Sequence, residues 1–196
     1  ARGHMIRALM IINNFGKPRL LKFFTQTAEV RQQQIICELF NVLRTRSERA
    51  CSFVDGGAWF GPGTRVVYRQ YATLYFAVAI DASESELGVL DLIQVLVESL
   101  DQRFKSACEL DLVFKTDEVH WLVDEIFVGG MVVETNMQDI LDAVQYNDEL
   151  VRQESDLSSA SASLQAAAAS IQAASRQSPT LEAVRTQLMS TLGFLP

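Results

Sequence analysis

The stretch RVVYRQYATLYFAVAID, Arg65–Asp81, decides the fold. Apolar and aromatic residues alternate along it with polar ones, which is the pattern of half-buried β-strands. One face of the pattern carries Val66, Tyr68, Ala72, Leu74, Phe76, Val78 and Ile80. The stretch is longer than the ~3–10 residues of an ordinary strand. We therefore predict an antiparallel hairpin that turns near Gln70–Ala72.

The next stretch, SESELGVLDLIQVLVESLDQRFKSA (83–107), changes to a helical period. At ~100° per residue its large apolar residues fill one broad arc. This pattern predicts an amphipathic helix that lies flat on the sheet. Leu90 and Val97 fall on the shoulder of the arc, where a partner or a ligand can reach them.

Upstream of the hairpin, the sequence predicts two further strands, a helix and a short strand. Ile6–Ile12 is a continuous apolar run that ends in the turn residues Asn13–Gly16, and Pro18–Phe24 returns as its partner. A run without alternation indicates a central strand that is covered on both faces. We predict a helix over Ala28–Arg46 and a third strand over Ala50–Val54.

Downstream, the pattern predicts two more helices. Asp111 or Asp117 is placed to cap a helix that continues to Val128, and a capping box at Thr135–Gln138 introduces a last packed helix. The order of elements predicts an α/β (α+β) fold with a five-stranded antiparallel sheet and helices on both faces.

The ends of the chain differ from this domain. We expect Ala1–His4 to be an expression scar and Met5 the natural start. The domain is predicted over 5–150, and 151–196 is an Ala/Ser-rich extension. Few large apolar residues in this extension can be buried, so we predict that it is mobile, with a docking helix as the less favoured alternative.

Charge and hydropathy limit the classes of partner. The net charge of −7 and the pI near 4.9 argue against a nucleic-acid binder and give no support to a polybasic membrane anchor. No apolar run approaches the ~20 residues of a transmembrane helix, so we expect no direct membrane insertion. Cys37, Cys51 and Cys108 are predicted to be buried thiols in a reducing cytosol.

The sequence offers no convincing catalytic or metal site. Outside the scar, His120 is the one histidine, and its place on a predicted helix favours a structural or exposed role. Phosphate-binding glycine motifs are missing from the sequence. Glu109 and Asp111 flank a bend, where capping is the favoured role. We predict a non-enzymatic protein without a cofactor.

Several blocks resemble one family. YRQYATLYF, SESELGVLDLIQVLVESLD, CELDLVF and GGMVVETN are similar to the small (sigma) chains of the clathrin-adaptor complexes, and FVDGG and SESELG are most similar to the sigma chains of adaptor protein complex 3. The resemblance covers Met5 to about Leu150. It implies the longin-like fold of adaptor small chains, which agrees with the predicted architecture.

The resemblance also implies a function and a set of partners. Sigma chains bind sorting signals of the type acidic-x-x-x-Leu-Leu/Ile on cargo tails. By resemblance, the acidic residue of the signal lies near Arg19, with Arg69 as a possible contributor. The implied leucine pockets consist of Ala72, Leu74, Val97, Ser106, Ala107 and Leu112.

The implied complex has a constitutive large chain of the delta type together with beta and mu chains. An Arf-type GTPase recruits it indirectly to Golgi or endosomal membranes, for transport to the lysosome or vacuole. The small chain itself is then expected to be cytoplasmic and peripheral to those membranes.

Other interpretations remain open at this stage. Leu74, Val97 and Leu112 are equally well explained as core residues, and isolated arginines are more often solvated strand charges. Ser106-Ala107 stands where the family often has Asn-Val, and Gln70 where many relatives carry a second Arg, so a wider pocket and a weaker acidic subsite are expected. The alternative functions are a purely structural small chain and a longin-like regulatory domain of another trafficking protein.

Overall fold

The computed structural model describes residues 6–47 and 50–176. The strands are β1 (Ile6–Asn13), β2 (Pro18–Phe23), β3 (Phe53–Asp55), β4 (Arg65–Tyr71), β5 (Leu74–Ile80), β6 (Phe127–Val128) and β7 (Met131–Val132). The helices are α1 (Glu29–Thr45), α2 (Gly57–Phe60), α3 (Glu86–Phe104), α4 (Glu109–Phe114), α5 (Thr116–Ile126) and α6 (Met137–Arg176).

The main sheet confirms the predicted architecture. Its five strands are antiparallel in the order β2-β1-β5-β4-β3. The apolar strand β1 lies inside the sheet, and its residues from Ala8 to Ile12 are fully buried. Burial on both faces explains why this strand does not alternate in sequence.

Helices cover both faces of the sheet, as predicted. Helix α1 packs through residues such as Ile35 and Leu39 against the face that carries Met10 and Ala77. Helices α3, α4 and α5 pack with the start of α6 against the opposite face, which carries Leu9, Ile11, Val67, Val78 and Ile80. A hydrophobic core therefore lies on each face of the sheet, between the sheet and the helices that cover that face.

The hairpin is present, but the prediction of a single apolar face along it is wrong. Strands β4 and β5 are joined by the two residues Ala72 and Thr73, and Val67 pairs with Val78. Paired residues of an antiparallel ladder lie on the same face, and this register matches odd-numbered residues with even-numbered ones. Across the two-residue turn, even-numbered residues of β4 therefore lie on the opposite face of the sheet from even-numbered residues of β5. Tyr68 contacts the α1 core, whereas Phe76 contacts the α3 core.

Other local predictions need correction. One helix was expected from Asp111 or Asp117 to Val128, but the chain breaks at Lys115 into α4 and α5, and the hairpin β6–β7 follows. Asp111 does cap, because its carboxylate accepts the backbone N–H of Cys108 at 3.0 Å. The third strand begins at Phe53, later than predicted.

The prediction of buried thiols is also wrong. Cys37, Cys51 and Cys108 are free and exposed. Cys37 lies on the outer side of α1, Cys51 precedes β3, and Cys108 is the N-cap residue of α4. At these positions the three side chains are exposed to solvent instead of being packed in the core.

The chain divides into two compact units, Ala1–Tyr146 and Asn147–Pro196. The first contains the sheet and buries Ile140 and Val144 at the start of α6. The second is helical to Arg176 in its described part. The mobility of 151–196 stays a prediction; residues 177–196, with Ala1–His4, lie outside the described residues.

Candidate functional site

A cavity of about 480 Å³ opens where the β4–β5 turn meets the end of α3 and the start of α4. Its volume falls in the range of ligand-binding cavities, about 300–1,000 Å³. Five of the six residues expected at the leucine pockets line it: Ala72, Leu74, Val97, Ala107 and Leu112. Ser106 is next to Ala107 in the chain but is not among the lining residues.

The walls of the cavity are mainly apolar side chains held by the core. Leu112 is 2% exposed, and Phe76 and Leu100 are also buried. Leu74 and Val97 are half-buried, which leaves part of each side chain facing the cavity. Val97 occupies the shoulder of α3, as its helical position predicts. The arrangement suits aliphatic groups of a ligand.

Residues with strained backbone occur in two segments that contribute to the cavity, the β4–β5 turn and the α3–α4 connection. Among the residues that the structure describes, the non-glycine residues with positive φ are Ala72 (50°), Lys105 (53°) and Ser106 (83°). Ala72 is the first residue of the β4–β5 turn, and Lys105 and Ser106 end α3. A left-handed conformation costs an L-residue roughly 1–2 kcal/mol, and such strain clusters at functional sites.

Hydrogen bonds hold the α3–α4 connection in this strained form. The backbone N–H of Ser106 donates to the carbonyl of Asp101 at 3.1 Å. The side chain of Asp101 accepts the N–H of Ala107 at 3.2 Å. Ala107 is therefore fixed at the wall of the cavity by the last turn of α3.

Arg19, the cation expected at the acidic subsite, lies beside the cavity and is paired with Glu109. Its Nε and Nη2 atoms are 2.7 Å and 2.6 Å from Oε1 of Glu109. Glu109 lines the cavity and also accepts the Nδ2–H of Asn13 at 2.9 Å. Hydrogen bonds from Asn13 and Arg19 hold the pKa of the Glu109 carboxyl below its ordinary value.

Arg69, the second expected cation, donates from Nη1 to the hydroxyl of Tyr71 at 3.4 Å. Its Nη1 atom donates to Oε1 of Gln94 at 3.2 Å, and its guanidinium is 5.9 Å from the centre of the Tyr71 ring. Tyr71 lines the cavity, whereas Arg69 does not. Gln70 is exposed and donates to the carbonyl of Ala72 at 3.1 Å. Neither arginine lines the cavity, but each contacts a residue that does: Arg19 is paired with Glu109, and Arg69 contacts Tyr71.

The charged residues that line the cavity are Asp101 and Glu109, and both are acidic. From the sequence alone, a capping role is predicted for Glu109. No local signal pairs Glu109 with Arg19, because the two are 90 positions apart in the chain. Of the two, Glu109 is the one that is paired with Arg19, the cation expected at the acidic subsite.

The described residues offer little for other chemistries. Within 6–47 and 50–176, no group of three or more histidine, cysteine or acidic residues is placed to hold a metal ion. None of the helices in the same part of the chain is long and apolar enough to cross a membrane. The cavity combines aliphatic walls with an arginine beside them that is paired with a carboxylate.

Comparisons with known proteins identify the family of the chain. The family described as "Clathrin adaptor complex small chain" matches residues 5–151. AP-3 complex subunit sigma-2 of Homo sapiens is 47% identical over 157 residues, covering 80% of this chain and 81% of the relative. AP-3 complex subunit sigma of Dictyostelium discoideum is 48% identical over 158 residues, covering 79% and 92%.

A structural comparison leads to the same family. A chain of the "Homology model of the full-length AP-3 complex in a stretched open conformation" is 33% identical, with a TM-score of 0.61. The similarity covers 78% of the present chain and 98% of that one. The fold is accordingly the longin-like fold of adaptor small chains, a family of trafficking subunits. The chain belongs to the clathrin adaptor complex small chain family.

Proposed function

We propose that this chain is the sigma subunit of an AP-3-type adaptor and that its cavity binds the leucine pair of acidic dileucine sorting signals on membrane cargo. The observation that carries the proposal is the cavity of about 480 Å³ whose walls include Leu74, Val97 and Leu112. Leu112 is buried while the other two are half-exposed to the cavity, so the site has a fixed floor and accessible sides.

The volume and the apolar walls of the cavity support leucine as the ligand group. Burying one leucine side chain contributes ~1.5–3 kcal/mol. A short peptide that buries two leucines and loses conformational freedom should bind with a Kd on the order of micromolar. Affinity of that order allows cargo to be released, which suits a sorting reaction.

The outer face of α4 supports a constitutive protein partner. Leu110, Val113 and Phe114 are 61%, 43% and 80% exposed, although the same short helix buries Leu112. Permanent interfaces are more hydrophobic than transient ones. In the proposed complex a delta-type large chain covers this face, and beta and mu chains complete the adaptor.

The proposed cellular role follows from the family. The complex attaches to Golgi or endosomal membranes with an Arf-type GTPase as an indirect partner, and carries cargo towards the lysosome or vacuole. The small chain contributes recognition of cargo, and its attachment to the membrane is indirect.

The test is a peptide titration. The chain is co-expressed with its delta-type large chain, and a fluorescent peptide with the pattern Glu-x-x-x-Leu-Leu is titrated against the same peptide with Ala-Ala. We expect saturable micromolar binding that is lost with Ala-Ala. Equal binding of the two peptides would contradict recognition of cargo and would favour the alternative of a purely structural small chain.

A further inference from the structure

The arginine beside the cavity is already engaged by a carboxylate of its own chain. Arg19 uses Nε and Nη2 on one oxygen of Glu109, at 2.7 Å and 2.6 Å. The side chains of Arg19 and Glu109 are only 23% and 25% exposed. A charge pair at this distance and with this limited access to water is only weakly screened by salt. The positive charge of Arg19 is thus largely compensated by Glu109.

Glu109 is also held in place by a buried group. Asn13 is 2% exposed, and its Nδ2–H donates to Glu109 at 2.9 Å. The Oδ1 atom of Asn13 accepts the backbone N–H groups of Phe15 and Lys17 at 3.0 Å and 2.8 Å, so the amide itself is fixed by the β1–β2 turn. If Glu109 moved away, a buried donor would lose its partner, which is costly. An acidic residue of a ligand must therefore join Glu109 at Arg19 and does not simply replace it.

A simple charge argument gives the size of the effect. A ligand carboxylate at about 4 Å from the guanidinium of Arg19 would lie about 6 Å from the carboxylate of Glu109. Coulomb energy falls as the inverse of distance, so repulsion by Glu109 cancels about two thirds of the attraction by Arg19. The second acidic residue of the lining, Asp101, adds to the repulsion.

We infer that Glu109 is a specificity-determining residue, which neutralises Arg19 and leaves the leucine pair, rather than the acidic residue, as the main determinant of binding. The inference rests on the proposed function, since it concerns the same cavity. It goes beyond that function by assigning a role in selectivity to a charged residue of the cavity lining.

The experiment compares two peptides on three forms of the chain, each in complex with its large chain. The peptides are Glu-x-x-x-Leu-Leu and Gln-x-x-x-Leu-Leu. The forms are the unchanged chain, Glu109→Gln and Glu86→Gln. Gln keeps an oxygen that can accept from Asn13 and Arg19 while it removes the negative charge.

Glu86→Gln is the matched control because Glu86 is likewise paired with an arginine, Arg65. It lies at the opposite end of α3, and 15 residues of helix separate it from Asp101 by about 22 Å. Its charge therefore has little influence at the cavity. Both variants change the net charge by the same amount.

We expect the unchanged chain to prefer the Glu peptide by no more than about threefold. Glu109→Gln should increase that preference by about three- to tenfold, which is the range of a half-buried charge pair. Thermal unfolding of each form, measured in complex with the large chain, shows whether Glu109→Gln is folded. Glu86→Gln should change neither affinity.

Other results would overturn the inference. If leucine-dependent binding persists but Glu109→Gln leaves the preference unchanged, the selectivity role is wrong and the proposed function stands. A lower preference in Glu109→Gln would mean that Glu109 positions Arg19 for the acidic residue, which is the opposite role. If neither peptide binds in a leucine-dependent manner to any form, both the inference and the proposed function fail.

Discussion

A charge placed on the wall of the cavity should abolish peptide binding without unfolding the domain. Val97 is half-buried on the shoulder of α3 and lines the cavity. Val97→Asp puts a carboxylate where the leucine pair of the peptide is proposed to lie. In the absence of peptide this carboxylate can stay hydrated, because the cavity is open to water.

The expected magnitude follows from burial. When the peptide binds, it either leaves one leucine outside the cavity, which forfeits ~1.5–3 kcal/mol of apolar burial, or it desolvates the new carboxylate at a cost of several kcal/mol. The cheaper of these outcomes, ~2 kcal/mol, corresponds to a loss of affinity of about 30-fold.

Val95→Asp is the matched control on the same helix. Val95 is also half-buried and packs against the same core, but it lines a different cavity of about 260 Å³, beside Val132 and Thr135. The two variants should lose similar thermal stability, since each replaces a half-buried valine by aspartate. Only Val97→Asp should lose peptide binding.

The assay is fluorescence anisotropy of the labelled Leu-Leu peptide, with each variant in complex with the large chain. Thermal unfolding of the same samples reports whether they are folded. The reasoning would be refuted if Val97→Asp bound the peptide within about threefold of the unchanged chain. It would also be refuted if Val95→Asp lost binding to the same extent.

Three further outcomes are expected from the structure. Leu112→Ala should lower the free energy of unfolding by ~2–4 kcal/mol, because it empties a buried position; urea denaturation measures this, and a loss below about 1 kcal/mol would contradict the burial of Leu112 at 2% exposure. Ala72→Gly should stabilise the chain by ~0.5 kcal/mol, since relief of the φ of 50° outweighs the added entropy of the unfolded chain; destabilisation in the same assay would argue against strain. The folded-state pKa of Glu109 is lowered from 4.5, so its contribution to stability is complete above that pH and is lost as the pH falls through the lowered value; urea midpoints should therefore drop more between pH 6 and pH 3 for the unchanged chain than for Glu109→Gln, and equal drops would count against the pairing.

The main elements of the fold were predictable because the residues that each of them buries form a regular pattern within its own sequence. The continuous apolar run of β1 and the helical period of α3 each reflect which neighbours cover them. The same locality limits the prediction. Which face of the sheet the β5 residues occupy depends on whether the β4–β5 turn has two residues or three. The sequence does not reveal this length, because no Gly or Pro marks the turn.

The candidate site was only partly predictable. Its apolar residues came from resemblance to a family, and the structure brings five of the six to one cavity. The pairing of Arg19 with Glu109 could not be inferred, because it joins β2 to α4 across most of the domain. Pairings of that kind depend on the relative placement of elements, which periodicity does not encode.

The most direct test of the central claim is to find where the two leucines bind. An acidic dileucine peptide carrying a photoreactive leucine at either position is cross-linked to the complex of this chain with its large chain, and the products are mapped by mass spectrometry. We predict cross-links to the segments that contain Leu74, Val97 and Leu112, and their loss when an excess of unlabelled Leu-Leu peptide is present. Cross-links that fall elsewhere, with none competed from these segments, would contradict the claim.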